Sequence, residues 1–277
     1  MSTKSDIEWT DVTWNPTTGC SRVSDGCTNC YAMSMARRFD GMGHGYDGTT
    51  RRTSAGTDWT GKVHLHEDRL NDPLEWSEPR FIFVDSMSDL FHPAVPLDFI
   101  DSVFASMVSA ESHIFQVLTK RPERMVTYME SGNREMVSRW KEAAEEKLSL
   151  SANPSFPPEG VWLGTSVESE EVTHRIDSLR KMEAEVKFIS LEPLIGPLPN
   201  LNLEGIDWVI VGGESGHNPR PMKKKWVIEI LNQCQEAEVP FFFKQWGGSY
   251  SEDTGRKLNG RVWSEIPSKY YHSEDSG

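Results

Sequence analysis

The stretch that decides the fold is FIFVDSMSDLFHPAVPLDFIDSVFASMVSAESHIFQVLTK, residues 81–120. It opens with a short apolar run at 81–86, continues through a segment with apolar residues at helical spacing at 96–110, and closes with a second apolar run at 115–120. Short apolar runs that end in polar residues indicate buried strands, and the intervening spacing indicates a helix. The stretch therefore predicts a strand-helix-strand unit with parallel strands.

The same unit recurs on both sides of this stretch. Further strands are predicted at 11–15, 161–167, 187–193, 208–216 and 240–247, with 62–66 as an additional candidate. Further helices are predicted at 31–39, 134–150, 169–182 and 223–237. Seven or eight such units predict an α/β fold, a complete or partial (β/α) barrel of the TIM type, and a doubly wound open sheet is the alternative.

Domain boundaries follow from the same reading. We expect a single barrel domain over residues 1–267. The Gly/Thr-rich segment 41–61 lacks periodicity and is predicted to be a lid-like loop, and 268–277 is predicted to be a flexible tail.

Composition bounds the class of protein. Hydrophobic residues make up 37% and charged residues 26% of the 277 positions, which is typical of a globular chain. The first residues are polar and no run has the length of a membrane span, so we expect a cytoplasmic protein without a membrane partner. The formal charge is 29 − 42 = −13, which argues against a general nucleic-acid binder. Contact with a polyanion would be local, at Arg51-Arg52 or Lys223–Lys225, unless both clusters are solvated surface.

The segment NPTTGCSRVSDGCTNCYA, residues 15–32, holds Cys20, Cys27 and Cys30, three of the four cysteines in the chain. Clustered thiols in a reducing compartment are more typical of metal ligands than of disulfides. The fourth, Cys234, lies at an apolar position of a predicted helix and is expected to be a core thiol.

The spacing C-x6-C-x2-C leaves the kind of metal centre open. A closed zinc site needs four ligands, and His44 is available only at an unfamiliar spacing. A [4Fe–4S] cluster held by three thiolates keeps one iron open for S-adenosylmethionine, the cofactor that carries radical chemistry. Gly19 and Gly26 each precede a cysteine and let the backbone wrap closely. A zinc-bound scaffold and a purely structural cluster remain the alternatives.

Polar residues collect at the ends of the predicted strands, where parallel α/β proteins carry their chemistry. Their density exceeds what ending a strand requires. The set comprises Asp85, Ser86, Ser88, Asp89, Thr119, Lys120, Arg121, Thr165, Ser166, Glu168, Ser190, Glu192, Gly212, Gly213, Glu214, Ser215, Lys244, Gln245 and Trp246.

Eight blocks carry a family resemblance. They read IEWTDVTWNPTTGCSRVSDGCTNCYA, FVDSMSDLFHPAVP, FQVLTKRPERM, VWLGTSVES, FISLEPLIGPL, VIVGGESG, PFFFKQWG and GRKLNGRVWSEIP. Together they resemble the phage-type three-cysteine-motif family, which occurs in bacteriophages and bacterial genomes and is similar to radical-SAM enzymes. The resemblance covers residues 5–267 and implies a barrel of the radical-SAM kind.

The resemblance also implies roles for residues. Cys20, Cys27 and Cys30 would ligate three irons, and the amino and carboxylate groups of S-adenosylmethionine would chelate the fourth. The implied cofactor-binding residues are Tyr31, Ser86, Ser88, Asp89, Lys120, Arg121, Thr165, Ser166, Glu168, Glu192, Gly212 and Gly213. Residues 86–89 read SMSD where radical-SAM enzymes often carry Gly-Gly-Glu. Lys244 and Glu214 are the catalytic candidates. His217, Arg220, Gln245 and Trp246 are the substrate candidates, with core capping as the alternative for Trp246.

The implied reaction begins when an external electron donor reduces the cluster. The cofactor is then cleaved to methionine and a 5′-deoxyadenosyl radical that abstracts hydrogen from the substrate. By resemblance the substrate is nucleic acid or a nucleotide, and the specific expectation is an isomerase acting on an amino-acid-modified thymine of phage DNA in the host cytoplasm. A base in duplex DNA would be flipped into the barrel mouth. A radical-based repair lyase and a non-enzymatic metal scaffold are the competing functions.

Overall fold

The structure is a computed structural model that describes residues 3–5, 7–54, 56–130, 132–216, 218–249 and 255–267. The predicted tail at 268–277 lies outside these residues. The strands of the described chain are β1 Thr3–Lys4, β2 Val12–Trp14, β3 Thr17–Thr18, β4 Thr50–Thr53, β5 Gly56–Trp59, β6 His64–Leu65, β7 Phe81–Val84, β8 Ile114–Thr119, β9 Val161–Ser166, β10 Lys187–Leu191, β11 Trp208–Gly212, β12 Phe241–Gln245, β13 Lys257–Leu258 and β14 Arg261–Val262.

The main sheet has eight strands in the order β1-β2-β7-β8-β9-β10-β11-β12. From β2 to β12 all neighbours are parallel, and β1 adds an antiparallel edge strand. The prediction of an α/β barrel fold is confirmed in its partial form, because no pairing joins β12 back to β1 or β2 within the described residues. The doubly wound alternative is wrong, since the strand order follows the chain and never reverses.

The helices are α1 Tyr31–Phe39, α2 Leu97–Ser109, α3 Pro122–Met129, α4 Asn133–Ala143, α5 His174–Arg180 and α6 Lys224–Glu236. Helix α1 has the predicted bounds. The helix predicted at 134–150 ends at 143 and continues as a π-helical turn to 148. Helix α3 was not predicted; Pro122 at its first turn was the available signal. Within the described residues, no helix combines the length and apolarity needed to cross a membrane.

Two small strand pairs differ from the predictions for residues 41–66. The candidate barrel strand at 62–66 is wrong, because β6 pairs antiparallel with β3, outside the main sheet. The segment 41–61, predicted to be a loop, contains the β4–β5 hairpin. Trp59 of this hairpin is buried against Ala32, Met33 and Ala36 of α1. The hairpin is therefore anchored to the helix that follows the cysteines.

The core divides into two parts because alternate residues of a strand point to opposite faces of the sheet. One face packs against the helices and forms the larger core cluster with them. Cys234 of α6 belongs to this cluster, so the prediction that it is a core thiol is confirmed. The other face carries a separate aromatic cluster. Its buried members are Trp9, Phe83, Trp162, Val186, Phe188, Trp208, Ile210 and Phe242. This aromatic face forms the floor beneath the carboxyl ends of the strands.

Phe104 of α2 allows the packing of the helical layer to be tested. It is fully buried and stacks on Trp140, with ring centroids 5.2 Å apart at an interplanar angle of 9°. We expect Phe104→Ala to lower the free energy of unfolding by about 3–5 kcal/mol, because the cavity it leaves cannot fully collapse. Urea unfolding of the purified protein measures this change.

The matched control lies on the same helix. Leu97 is 49% exposed, so Leu97→Ala should change the free energy of unfolding by no more than about 0.5 kcal/mol. Equal destabilisation by the two variants would contradict the assignment of Phe104 to a tightly packed layer.

Candidate functional site

The segment between β3 and α1, here called the cysteine loop (residues 19–30), crosses the carboxyl ends of the parallel strands. It starts beside β7, where the Ser88 hydroxyl donates to the Gly19 carbonyl at 2.7 Å. Side chains that follow β8, β9 and β11 then contact it in turn. The loop therefore spans the mouth of the partial barrel.

A cavity of about 200 Å³ lies under the cysteine loop. Cys20, Cys27 and Cys30 all line it, and Trp9 and Phe83 contribute its apolar floor. The other predicted site residues that line it are Tyr31, Ser86, Ser88, Asp89, Lys120, Arg121, Ser166, Glu192, Gly213, Glu214 and Lys244. Residues from one loop and from six strand ends are thus brought to one space.

Some predicted site residues lie outside the cavity lining. Thr165 is buried between strands, where its hydroxyl donates to the Thr119 carbonyl at 2.9 Å. Gln245 donates to the Gly213 carbonyl at 2.9 Å. Trp246 has its ring 4.8 Å from Phe243 and donates to the Lys257 carbonyl, which is the core-capping placement.

Four further predicted residues also lie outside the cavity lining or outside the described residues. Gly212 packs closely against the Glu192 side chain: a Cβ added at position 212 would lie 2.9 Å from Glu192 Cδ. Glu168 and Arg220 contact the cysteine loop from behind the lining. His217 lies outside the described residues.

The first anchor of the cysteine loop is the ion pair of Asp89 and Arg121, with Arg121 Nη1 2.8 Å from Asp89 Oδ2. Arg121 Nη2 donates to the carbonyl and to the hydroxyl of Ser21, at 3.0 and 2.9 Å. Nη1 also approaches Cys20 Sγ at 3.8 Å. The Thr119 hydroxyl donates to Asp89 at 2.7 Å and completes the attachment to β8.

The second anchor is the fully buried carboxylate of Glu168. It accepts from Arg175 at 3.0 Å and from the Gly26 amide at 3.3 Å, with Lys120 Nζ at 3.7 Å. Burial alone would raise the pKa of Glu168, but Lys120 and Arg175 outweigh it and hold the pKa below its usual value. A Cβ at position 26 would lie 2.8 Å from the Glu168 side chain, so glycine is required there.

The third anchor is Glu214, which follows β11. Its carboxylate accepts from the backbone amide of Arg220 at 2.8 Å, from both sides of the Arg220 guanidinium, and from Asn29 Nδ2 at 2.8 Å. Arg220 also donates to the Asp25 carbonyl at 3.0 Å. Burial raises the pKa of Glu214, and these hydrogen bonds outweigh it and lower the pKa. A carboxylate so occupied suits holding the loop rather than transferring a proton.

Cys20 and Cys30 are electrostatically unfavourable as free thiolates. Burial raises the pKa of Cys20 to about 12, with Asp89 adding to the shift and Arg121 opposing it. Burial also raises the pKa of Cys30. Bound metal ions reverse this preference, because they hold thiols as thiolates. Three thiols from one loop, facing one cavity, are a donor set that fits an iron–sulfur cluster.

The zinc alternative named His44 as its fourth ligand. In the described chain no three His, Cys, Asp or Glu side chains form a group able to hold a metal ion, and this applies to the three cysteines as well. His44 is not among the residues that line the cavity; its ring contacts Phe39, at 5.8 Å between centroids.

Opposite β8, the cavity wall carries a second ion pair. Lys244 Nζ lies 2.7 Å from Glu192 Oε1, and both residues line the cavity. Ser190 and Ser215 line it nearby, on the neighbouring strand ends. This part of the wall combines one cation, one anion and two hydroxyls.

Two residues of the site had been assigned no role: Asp85, which was named only among the polar strand-end residues, and Asn29. Asp85 lines the cavity, is buried, and has a left-handed φ of 60°. Its carboxyl group accepts hydrogen bonds from the Thr17 amide at 3.0 Å and from the Thr17 hydroxyl at 2.9 Å. Burial raises the pKa of Asp85 to about 8. Asn29, which joins the loop to Glu214, was the other. The signal for Asp85 was its place at the end of the β7 run; nothing in the sequence pointed to Asn29.

Fold and site together define a partial-barrel α/β protein with a thiol-lined cavity at the carboxyl ends of its strands. The chain belongs to the family described as protein of unknown function (DUF5131), whose model matches residues 4–267. A search of curated proteins finds no match to the chain.

Among solved structures, the chain is similar to spore photoproduct lyase complexed with dinucleoside spore photoproduct. The two share 11% identity and a TM-score of 0.41, over 85% of this chain and 64% of that one. The chain thus spans less than two thirds of the length of that protein.

Gly26→Ala tests the second anchor. The added Cβ must displace the pinned Glu168 side chain or the loop itself, so we expect the thiols beside it to react several-fold faster with a thiol reagent in metal-free protein. The measurement is the rate of modification of Cys27 and Cys30, read by mass spectrometry.

The control is Gly196→Ala, where the added Cβ would meet only Ser169 Cβ at 3.8 Å, an ordinary contact. Its rates should equal those of the unmodified chain. Unchanged rates in Gly26→Ala would show that the loop does not depend on this close approach.

Proposed function

We propose that this protein is a radical-SAM-type enzyme. Cys20, Cys27 and Cys30 would hold a [4Fe–4S] cluster, with S-adenosylmethionine in the cavity beside it. When bound, the pair supplies one-electron cleavage of the cofactor and a radical that abstracts hydrogen. The observation that carries the proposal is the convergence of the three thiols on one cavity at the strand ends, over a floor of aromatic side chains.

The protein's own residues give the cavity two properties. Trp9, Phe83 and Leu118 line it with apolar surface, which excludes water from a reactive site. Lys120 lines it near the thiols, close enough for its charge to lower the pKa of Cys30. We assign the carboxylate of the cofactor to Lys120, because the guanidinium of Arg121 already binds Asp89 and Ser21.

Hydroxyl groups supply the remaining cofactor contacts in this proposal. Ser86 and Ser166 line the cavity, and the Ser86 hydroxyl donates to Asn15 at 3.1 Å, which leaves its oxygen able to accept. Ser88 and Asp89 line the same wall but are engaged with the cysteine loop and its anchor.

The narrower part of the proposal concerns the substrate. An aromatic floor suits a planar base, and the Lys244–Glu192 pair suits a polar substituent on that base. We therefore propose an isomerase that acts on an amino-acid-modified thymine in DNA or in a nucleotide, with a separate protein as electron donor. Because the chain carries a formal charge of −13, broad contact with the phosphates of a duplex is unfavourable, and entry of a single flipped base is favoured. A repair lyase is the competing reaction.

The experiment is anaerobic purification and iron–sulfur reconstitution, followed by metal analysis and by assay of 5′-deoxyadenosine after addition of dithionite and S-adenosylmethionine. We expect about four irons per chain and 5′-deoxyadenosine. Replacing Cys20, Cys27 or Cys30 with alanine should abolish both.

Cys234→Ala is the matched control, since Cys234 lies in the helix-facing core and should leave iron content unchanged. His44→Ala should also retain the iron. One zinc per chain with no iron, lost in His44→Ala, would overturn the enzyme assignment and make the protein a zinc scaffold.

Lys244→Met tests the substrate end of the cavity. We expect iron content and cofactor cleavage to persist, while conversion of a modified-thymine nucleoside falls at least tenfold (roughly 1.4 kcal/mol), because the cation that faces the substrate is gone. Product analysis by mass spectrometry measures the conversion and separates rearrangement from cleavage of the base.

Lys225→Met, on the exposed start of α6, is the control. Loss of cofactor cleavage in Lys244→Met would instead place Lys244 at the cofactor.

A further inference from the structure

Arg121 contacts both a carboxylate and a cysteine sulfur. Its Nη1 group lies 2.8 Å from the carboxylate of Asp89 and 3.8 Å from the sulfur of Cys20. Its Nη2 group is held by the carbonyl and the hydroxyl of Ser21. Four contacts therefore fix the guanidinium against the first cysteine of the loop.

The position of Arg121 is rigid. The residue is 9% exposed, and its backbone amide donates to the Thr119 hydroxyl at 2.9 Å, at the point where β8 gives way to α3. A planar guanidinium bound on both edges loses little freedom on contact with a further acceptor. The N–H group that faces Cys20 is thus part of the fixed framework of the site.

The three cysteines differ in this respect. Of the three loop cysteines, Cys20 alone has its sulfur within reach of a guanidinium donor in the described chain. For Cys30 the corresponding cation is Lys120, which acts on it through charge. The second guanidinium that binds the loop, Arg220, contacts the Asp25 carbonyl rather than a sulfur.

We propose that Arg121 is a positioning residue that raises the reduction potential of the cluster through Cys20, and that Asp89 limits this effect. The inference rests on the proposed function. Hydrogen bonds to ligand sulfurs and nearby charge are what set the potential of such clusters. A cation and an N–H group at the Cys20 sulfur stabilise the added electron, and the carboxylate of Asp89 partly cancels that charge.

The test is a redox titration of the reconstituted protein, followed by the cluster's absorbance and electron paramagnetic resonance. Arg121→Gln removes the charge and the fixed donor. At a constant solution potential we expect the ratio of reduced to oxidised cluster to fall about tenfold, which corresponds to about 59 mV for a one-electron couple. Arg22→Gln, which removes a guanidinium of the loop that contacts Asp58 rather than a cysteine, should leave the ratio unchanged.

Asp89→Asn provides a shift of opposite sign. It removes the negative charge beside Arg121 and leaves the guanidinium in contact with Cys20, so the ratio of reduced to oxidised cluster should rise. If Arg121→Gln does not retain iron, the redox titration of Asp89→Asn alone tests the role of Arg121. A merely structural role for Arg121 would not produce opposite shifts in the two variants.

Two failures are distinguishable. Equal shifts in Arg121→Gln and Arg22→Gln, or a fall of the ratio in Asp89→Asn, would overturn the role of Arg121 and leave the enzyme assignment intact. Failure of the unmodified chain to assemble iron would overturn the proposed function itself, and the inference with it.

Discussion

Three ion pairs with buried carboxylates hold the cysteine loop over the strand ends: Asp89 with Arg121, Glu168 with Arg175, and Glu214 with Arg220. The first two pairs are buried on both sides, whereas the Arg220 side chain is 33% exposed. In each pair the carboxylate follows a strand of the main sheet and the pair contacts the loop. Loss of one partner of a buried pair costs about 3–5 kcal/mol, because the other charge is left without compensation. The loop has little apolar surface of its own, so its position depends on these charges and hence on the register of the sheet.

Pairing also explains how an acidic chain keeps its cavity close to neutral. The chain carries a formal charge of −13, yet Asp89, Glu192 and Glu214 at the cavity each have a cation within salt-bridge distance. Asp85 is the exception, and burial raises its pKa to about 8, so its carboxyl is mostly protonated at neutral pH. A near-neutral, largely apolar cavity is one in which a single fixed charge has a strong effect on whatever binds there.

The sequence predicted the strands well because buried parallel strands are nearly continuous apolar runs. It missed α3, which follows β8 after only two residues, and the β4–β5 hairpin, whose Gly/Thr-rich strands lack alternation and whose apolar contact with α1 is made by Trp59. It found the cysteines and most cavity-lining residues from their place at strand ends. It could not separate Glu168 from Thr165, because Glu168 contacts Gly26 and Lys120, which lie far away in the chain, whereas Thr165 bonds to the Thr119 carbonyl of the neighbouring strand.

The polar residues at the strand ends thus divide between two tasks. Most of the carboxylates and arginines hold the cysteine loop, and this accounts for a density that ending the strands does not require. The lysines of the cavity wall are Lys120 after β8, paired with Glu168, and Lys244 on β12, paired with Glu192. Four strand spacings separate β8 from β12 in the sheet order, roughly 19 Å along a flat sheet and less across a curled one. Both lysines line the cavity that the three thiols line, so its wall presents a lysine at two separate strand ends.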